Sequence, residues 1–266
     1  MNAICELDKA SICSSFAAAV DSYEGNSILQ KNIANAMLEK FEIDLISGTV
    51  LDLGCGTGFL TGKLLQQQKT PEIIALDIAL PMLRKARKDW GIEDRLKFVC
   101  ADAEHLPLRT NSVDRVYSNL ALQWCWNLGM AFTDIRRVLK AGGKLVFSTF
   151  GPQTLHELKL AWAQVDNYTH VNEFYSGDEI KQYLEQAGFQ NIEMEHRLHI
   201  CEYEHVIGLM RQLKGIGAHN VNRGRNRGLT GKNGLMDMYR AYDKFREGSK
   251  VPATFEVIYV SVEAGH

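Results

Sequence analysis

Three aspartates and three glycines in the first half of the chain are spaced for ligand binding. In VLDLGCGTG, residues 50–58, an apolar run delivers Asp52, and the chain then turns through Gly54, Gly56 and Gly58 toward a helical stretch. Glycine is required where backbone must turn tightly and lie close to a ligand, because any Cβ would intrude. Asp77 ends the next apolar run, 23 residues after Gly54, and Asp102 follows a third within Cys100-Ala101-Asp102-Ala103. Carboxylates at the carboxyl ends of three successive strands can accept hydroxyl and amino protons and offset positive charge. A dinucleotide site is the obvious rival. Its G-x-G-x-x-G pattern needs glycine at position 59, where this chain has Phe59, so the third glycine comes one residue early.

The elements that must position these groups read as an alternation. Apolar runs at 49–53, 72–77, 96–100, 113–118 and 144–150 are too continuous to face water on one side, which suits parallel strands covered on both faces. FLTGKLLQQQ, LPMLRKARKDW and MAFTDIRRVLK supply covering helices, the last expected to end at Gly142-Gly143. The pattern predicts a doubly wound α/β sheet. Helices are expected over 9–20 and 28–41, with Asn26 and Ser27 as candidate caps of the second. A helix GDEIKQYLEQAGF, a strand NIEMEHRLHI and a last strand TFEVIYVSV follow, interrupted by an insertion at 204–250. The economical division is one domain with a helical cap (1–45), a ligand-binding sheet (46–203), the insertion (204–250) and the last strand (251–266).

Composition excludes several classes. With 45% hydrophobic and 23% charged residues, the 266-residue chain is globular rather than disordered or collagen-like. Six cysteines form no CxxC pair, and no histidine is spaced with them for zinc, so no metal or redox motif is visible. Glu6, Asp8 and Lys9 interrupt what would have to be the apolar core of a signal peptide, and no run of about 18 apolar residues appears. A cytoplasmic protein without membrane contact is expected.

The D-x-G-x-G-x-G turn resembles motif I of the class I S-adenosylmethionine-dependent methyltransferases, and the likeness runs on through residue 150. It implies a Rossmann-like sheet, mostly parallel with an antiparallel last strand. It also implies an S-adenosylmethionine site: Asp52 and the three glycines at the turn, Asp77 on the ribose with Ile78 and Met82 beside it, Asp102 and Ala103 at the adenine edge, and Asn119 after the fourth strand. SNLALQWCWN, 118–127, lacks the proline-containing N/D-P-P-Y/F sequence of amino-directed base methylation, which disfavours a nucleic-acid amine as acceptor.

A narrower resemblance rests on SNLALQWCWNL, on LHELKLAW followed by VDNYTHVNEF, and on MRQLKGIGAHNV (210–221). These segments are similar to the malonyl-[acyl-carrier protein] O-methyltransferase family, as are Phe16, Tyr23 and Gln30, seven residues apart on the cap. The likeness implies methyl transfer to the free carboxylate of a malonyl thioester, with Tyr23 and Gln30 over the cofactor and Trp124 shaping the acceptor pocket. A carboxylate with a pKa of about 4 is already ionised at pH 7, so no general base is needed. Steering it calls for a cation or hydroxyl donors, and Arg211 and Lys214, three apart on one side of a helix expected over 204–214, are the candidates alongside Tyr23.

Residues 205–236 carry Arg211, Lys214, Arg223, Arg225, Arg227 and Lys232 without one Asp or Glu. The net charge of −2 therefore conceals +6 on one segment against −8 on the rest. The window has no Phe, Trp or Tyr on which bases could stack, which argues against single-stranded nucleic acid. A solvated loop and a docking surface for an acidic protein remain, the second placing Arg223, Arg225 and Arg227 against the acyl-carrier protein, with malonyl-CoA as another candidate acceptor. Two other readings stay open. One is a small-molecule O- or C-methyltransferase, for which His156, His170 or His219 would have to act as base; the other is a non-catalytic assembly protein keeping the fold.

Overall fold

The computed structural model describes residues 8–41, 48–66, 72–91, 93–218 and 231–265. Its sheet is built from β1 (Thr49–Leu53), β2 (Glu72–Asp77), β3 (Leu96–Cys100), β4 (Val113–Asn119), β5 (Leu139–Phe150), β6 (Phe189–Tyr203) and β7 (Val251–Ala264), in the order β3-β2-β1-β4-β5-β7-β6. The first five are parallel to one another, and β7 runs antiparallel between β5 and β6. Around the sheet lie α1 (Lys9–Asn26), α2 (Ile28–Lys40), α3 (Phe59–Leu65), α4 (Leu80–Trp90), α5 (Leu128–Val138), α6 (His156–Trp162), α7 (Gly177–Gln186), α8 (Val206–Gly215) and α9 (Lys232–Asp243).

Alternation along β1 shows why both faces must be covered. Val50 packs with Ile33, Met37 and Leu64 on one side, while Leu51 and Leu53 pack with Phe132 and Ile135 on the other. Burying each such side chain contributes about 1.5–3 kcal/mol. Because β1 lies between β2 and β4, the connections leaving its carboxyl end diverge there and open a crevice. The cap helix α1 lies near it, packed on α4 and α8.

Several boundaries differ from expectation. The helix anticipated to run to Gly142-Gly143 ends at Val138, because Leu139 turns extended (φ −69°, ψ 136°) and pairs with Val113 of β4. Gly142 takes φ +70°, and an added Cβ on Gly143 would lie 2.9 Å from Lys140 O and 3.0 Å from Asp114 O, so both belong to a bulge inside β5. Asn26 caps nothing: it ends α1, and its amide donates to Ser22 O at 2.7 Å. The Ser27 hydroxyl reaches back to Glu24 O rather than forward into α2. Asp8 caps α1 instead, its carboxylate accepting from Ala10 N and Ser11 N. The expected insertion contains α9, whose Met238, Ala241 and Tyr242 bury a stripe at helical spacing and which packs on α6.

Candidate active site

The glycine turn is tied to β2 before it meets anything else. Gly54 N and Cys55 N both donate to Leu76 O, at 2.8 and 2.9 Å. Gly54 has φ +76°, and a Cβ there would collide with that of Ala121, so this glycine is required twice over. Gly56, at φ +55°, has nothing within 4 Å of where its Cβ would stand and borders the cavity. Gly58 serves packing: it begins α3, with Trp90 Cδ1 2.8 Å from its absent Cβ.

A cavity of about 770 Å³ opens at these strand ends. Asp77 stands on its wall, with Oδ2 accepting from Gly56 N and Oδ1 from Ala79 N, each at 2.8 Å. A carboxylate offers about four acceptor positions, so Asp77 keeps acceptor capacity for a ligand. Burial pushes the Asp77 pKa up, and the backbone donors from Ala79, Gly56 and Ile78 work against that rise. Asp102 binds Lys9, the first residue of α1, and accepts from Glu104 N at 3.0 Å. Lys9 Nζ also lies 3.0 Å from Glu104 Oε1, which in turn accepts from Trp126 N at 2.6 Å. Burial lowers the Lys9 pKa, but hydrogen bonds that the ammonium donates to the two carboxylates outweigh it and hold the ammonium above its ordinary value. The cap is thus latched to the rim by charge. At its other end Glu24 takes the Thr57 hydroxyl from the glycine turn and a 2.6 Å ion pair from Lys31.

Tyr23 lines the same cavity as Asp77, and burial pushes its hydroxyl pKa far up, with Asp77 and Glu24 adding to the rise. It remains a neutral hydroxyl at any physiological pH. Leu120 borders the cavity in a left-handed conformation (φ +50°), held by hydrogen bonds from its N–H to Ser148 O at 3.0 Å and Ser148 Oγ at 3.2 Å. The strain sits where it places Ala121 under Gly54 and leads into the 3-10 turn Leu122–Trp124.

A second cavity of about 560 Å³ shares Trp124 with the first. Phe150, Leu158 and Phe174 supply apolar wall, and Gln30, Gln123, Thr154, His170 and Asn172 supply the polar groups. Its frame is the connection between β5 and α6. There Leu155 (φ +55°) donates to Thr254 O at 2.7 Å, and buried Glu157 accepts both the N–H and the hydroxyl of Thr254. His170 stacks on Trp162 at 3.7 Å and 5°, with Nε2 2.7 Å from Asp166 Oδ1.

Comparison with known proteins places this geometry. The family described as Methyltransferase domain matches residues 51–147. A malonyl-[acyl-carrier protein] O-methyltransferase from Methylovorus sp. is 41% identical over 260 residues, covering 95% of this chain and 88% of that protein. One from Nitrosospira multiformis is 40% identical over 270 residues, covering 95% and 88%. The chain belongs to the malonyl-[acyl-carrier protein] O-methyltransferase family. The same family region forms about half of a biotin biosynthesis bifunctional protein, BioHC, from Cellvibrio japonicus, 39% identical over 96% of this chain and 50% of that protein. Among solved structures, YcgJ of Bacillus subtilis superposes with a TM-score of 0.63 at 16% identity, covering 88% of this chain and 99% of that one. Phosphoethanolamine N-methyltransferase 2 of Haemonchus contortus, solved with S-adenosyl-L-methionine, gives 0.59 at 16% identity, covering 94% and 57%. At such identities the two structures speak for the shared fold.

Against this family frame, the residues singled out in the sequence divide. Tyr23, Gly54, Gly56, Asp77, Ile78, Met82, Asp102, Ala103, Asn119 and Trp124 all line the first cavity. Asp52 does not: it is fully buried beneath the turn with Thr61 Oγ1 2.5 Å from Oδ2, Oδ1 has no partner among the described residues, and burial raises its pKa to about 7. Gly58 faces Trp90 rather than the cavity. Gln30 lines the second cavity, although its backbone carbonyl accepts from Asn119 Nδ2 at 3.1 Å. Arg211 and Lys214 line neither cavity; α8 buries Val206 and Leu209, which turns the two cations to solvent. Arg223, Arg225, Arg227 and His219 fall outside the described residues. Sequence reasoning missed Lys9 and Glu104 at the latch and Asn172 in the second cavity. The one available signal was Asp102 and Glu104 lying two residues apart with no cation nearby in sequence.

Proposed function

We propose that the protein transfers a methyl group from S-adenosylmethionine to the free carboxylate of a malonyl thioester carried on acyl-carrier protein. The observation that carries this reading is the pairing of the first cavity with family membership over nearly the whole chain. The donor fits the residues present: Gly56 leaves space where a side chain would stand, Asp77 keeps acceptor positions, and Asp102 and Ala103 border the far wall. When bound, S-adenosylmethionine supplies an electrophilic methyl on a sulfonium. Asp77 would hold the ribose hydroxyls, Asp102 and Ala103 the adenine edge, and the Tyr23 hydroxyl, kept protonated by its surroundings, would border the reacting region. The protein's work is orientation and exclusion of water, since an ionised carboxylate needs no base.

Acyl-carrier protein is an acidic partner, and the +6 segment supports a docking role for Arg223, Arg225 and Arg227. Leu213, Ile216 and Ala218 of the second cavity lie within that segment, shortly before Arg223. The five described cysteines are unpaired, which suits a reducing cytoplasm. No helix among the described residues is long and apolar enough to cross a membrane.

The test supplies methyl-labelled S-adenosylmethionine with malonyl and acetyl carrier proteins and follows the products by mass spectrometry. Gain on the malonyl protein alone, with the label released as methanol on alkaline hydrolysis, is the expected result. No gain on the malonyl protein overturns the reading, and label retained in released methylmalonate would indicate C-methylation. Reversing Arg223, Arg225 and Arg227 to Glu should raise KM for malonyl carrier protein by about tenfold and for malonyl-CoA by less; equal changes would remove the docking role.

A further inference from the structure

The second cavity has an unusual chemistry for a place beside a methyl-transfer site. Among the described residues, its lining contains no Lys, Arg, Asp or Glu. Its polar side chains are three amides, one imidazole and the Thr154 hydroxyl, which is already used, donating to Glu256 O and accepting from Glu256 N. Two of the amides are unsatisfied: Gln30 Oε1 and Asn172 Oδ1 are buried with no hydrogen-bond partner among the described residues. Leaving such a group unpaired costs about 1–3 kcal/mol, a cost that a ligand N–H or O–H donor removes directly and that an anion removes only when the amide turns its NH₂ end inward. The third amide is already oriented, since Gln123 Oε1 accepts from Thr149 Oγ1 at 3.3 Å and its NH₂ is the end left over.

We propose that this second cavity is the acceptor chamber, and that the neutral amides of Asn172, Gln30 and Gln123 hold the acceptor's carboxylate there in place of a lysine or arginine. The inference rests on the carboxyl-methylation reading and identifies its acceptor site. A terminal amide turns through half a rotation about a broad torsion, so Asn172 and Gln30 can each present N–H donors to an anion. Neutral donors suit this reaction. A carboxylate clamped by guanidinium gives up much of its charge density, and its neutral ester would leave a cation buried and unpaired. Amides bind the anion, tolerate the ester and let it go. Phe150, Leu158 and Phe174 keep water from the group once it is seated, and Trp124 forms wall to both chambers. His170, stacked on Trp162 and paired with Asp166, forms part of the polar side.

The experiment compares Asn172→Asp, Asn172→Ala and Gln30→Leu with the parent protein. It measures binding of malonyl and acetyl carrier proteins, binding of S-adenosylhomocysteine, and methyl transfer. The parent should prefer malonyl over acetyl carrier protein by about tenfold or more, as hydrogen bonds to a charged group allow. Asn172→Asp should weaken malonyl binding by about 100-fold through like-charge repulsion, erase the preference, and leave acetyl and S-adenosylhomocysteine binding within about threefold. Asn172→Ala and Gln30→Leu should each cost about tenfold in malonyl binding with the same selectivity. A preserved malonyl preference in all three variants overturns the proposal, as does a parallel loss of S-adenosylhomocysteine binding, which would assign these residues to the cofactor. If Asn172→Asp lowers melting and cofactor binding together, the two milder variants decide. Failure of the parent to methylate malonyl carrier protein would sink the proposed reaction, whereas the binding preference tests the chamber independently of turnover.

Discussion

The two cavities meet at Trp124 and are made in opposite ways. The first is assembled from the ends of consecutive parallel strands, so its walls arrive in chain order at regular intervals: the turn after β1, Asp77 after β2, Asp102 after β3 and Leu120-Ala121 after β4. The second draws on α2, the Leu122–Trp124 turn, the end of β5, the start of α6, four residues of the loop at 170–174, the end of α8 and β7. The first is rimmed by carboxylates held by backbone N–H groups and by Lys9; the second holds amides with unmet hydrogen bonds. A site that binds a shared cofactor can be written as a motif, while one that chooses an acceptor is written in tertiary contacts.

The sharpest break of that contrast is Gly54→Ala. It combines φ +76° with a collision against Ala121, and should abolish S-adenosylhomocysteine binding by about 100-fold or more while lowering stability. Calorimetric titration and thermal melting check it; unchanged affinity would mean the turn does not set the first cavity. Trp124→Ala comes next, because it removes a wall from both chambers. It should weaken S-adenosylhomocysteine and malonyl carrier protein together, by about tenfold each, whereas the Asn172 variants affect only the acceptor.

Asp52 separates packing from binding. Its native pKa of about 7 stands above its ordinary 3.8, so between those values the native state holds a proton that the unfolded chain has lost. Its contribution to stability is therefore fully present below about pH 4, declines as pH rises, and is lost above about pH 7. Asp52→Asn should melt higher than the parent at pH 8, by about 5 °C, with the difference vanishing toward pH 4. A difference independent of pH would show that Asp52 does not ionise in this range. The smallest effect is expected from Lys9→Met. Lys9 and Asp102 are partly exposed, a pair worth about 1 kcal/mol or less, and buried Glu104 keeps the Trp126 and Asn127 N–H donors, so cofactor affinity should fall by about threefold to fivefold. The parent's advantage should shrink in high salt, and salt-insensitive loss would point to packing by the lysine stem instead.

Much of the first cavity was legible because its residues obey local rules. Gly54 and Gly56 announce backbone that must turn, and Asp77 announces the end of a buried run. The limits were equally physical. Asp52 shares the motif yet points to the α3 face, because side chains alternate along a strand and Val50 had already assigned that face to the core. Arg211 and Lys214 have the right charge for a carboxylate but the wrong side of α8, since helical spacing tells which residues share a face and not what the face meets. Gln30 falls at the spacing of Phe16 and Tyr23, yet the break between α1 and α2 at Ser27 carries it past the first cavity into the second.

The sequence by itself determined the doubly wound sheet and placed Asp77 and Asp102 at strand ends, where they line the first cavity, because hydrophobic period and glycine chemistry act over a few residues at a time. The antiparallel last strand was implied by the family resemblance. Only the tertiary structure decided that Lys9 latches the cap, that Leu120 bears backbone strain, and that Asn172 stands in a chamber without charge. Those facts depend on which distant segments share a cavity, and neither spacing nor composition encodes a contact between residues 93 positions apart, as Lys9 and Asp102 are.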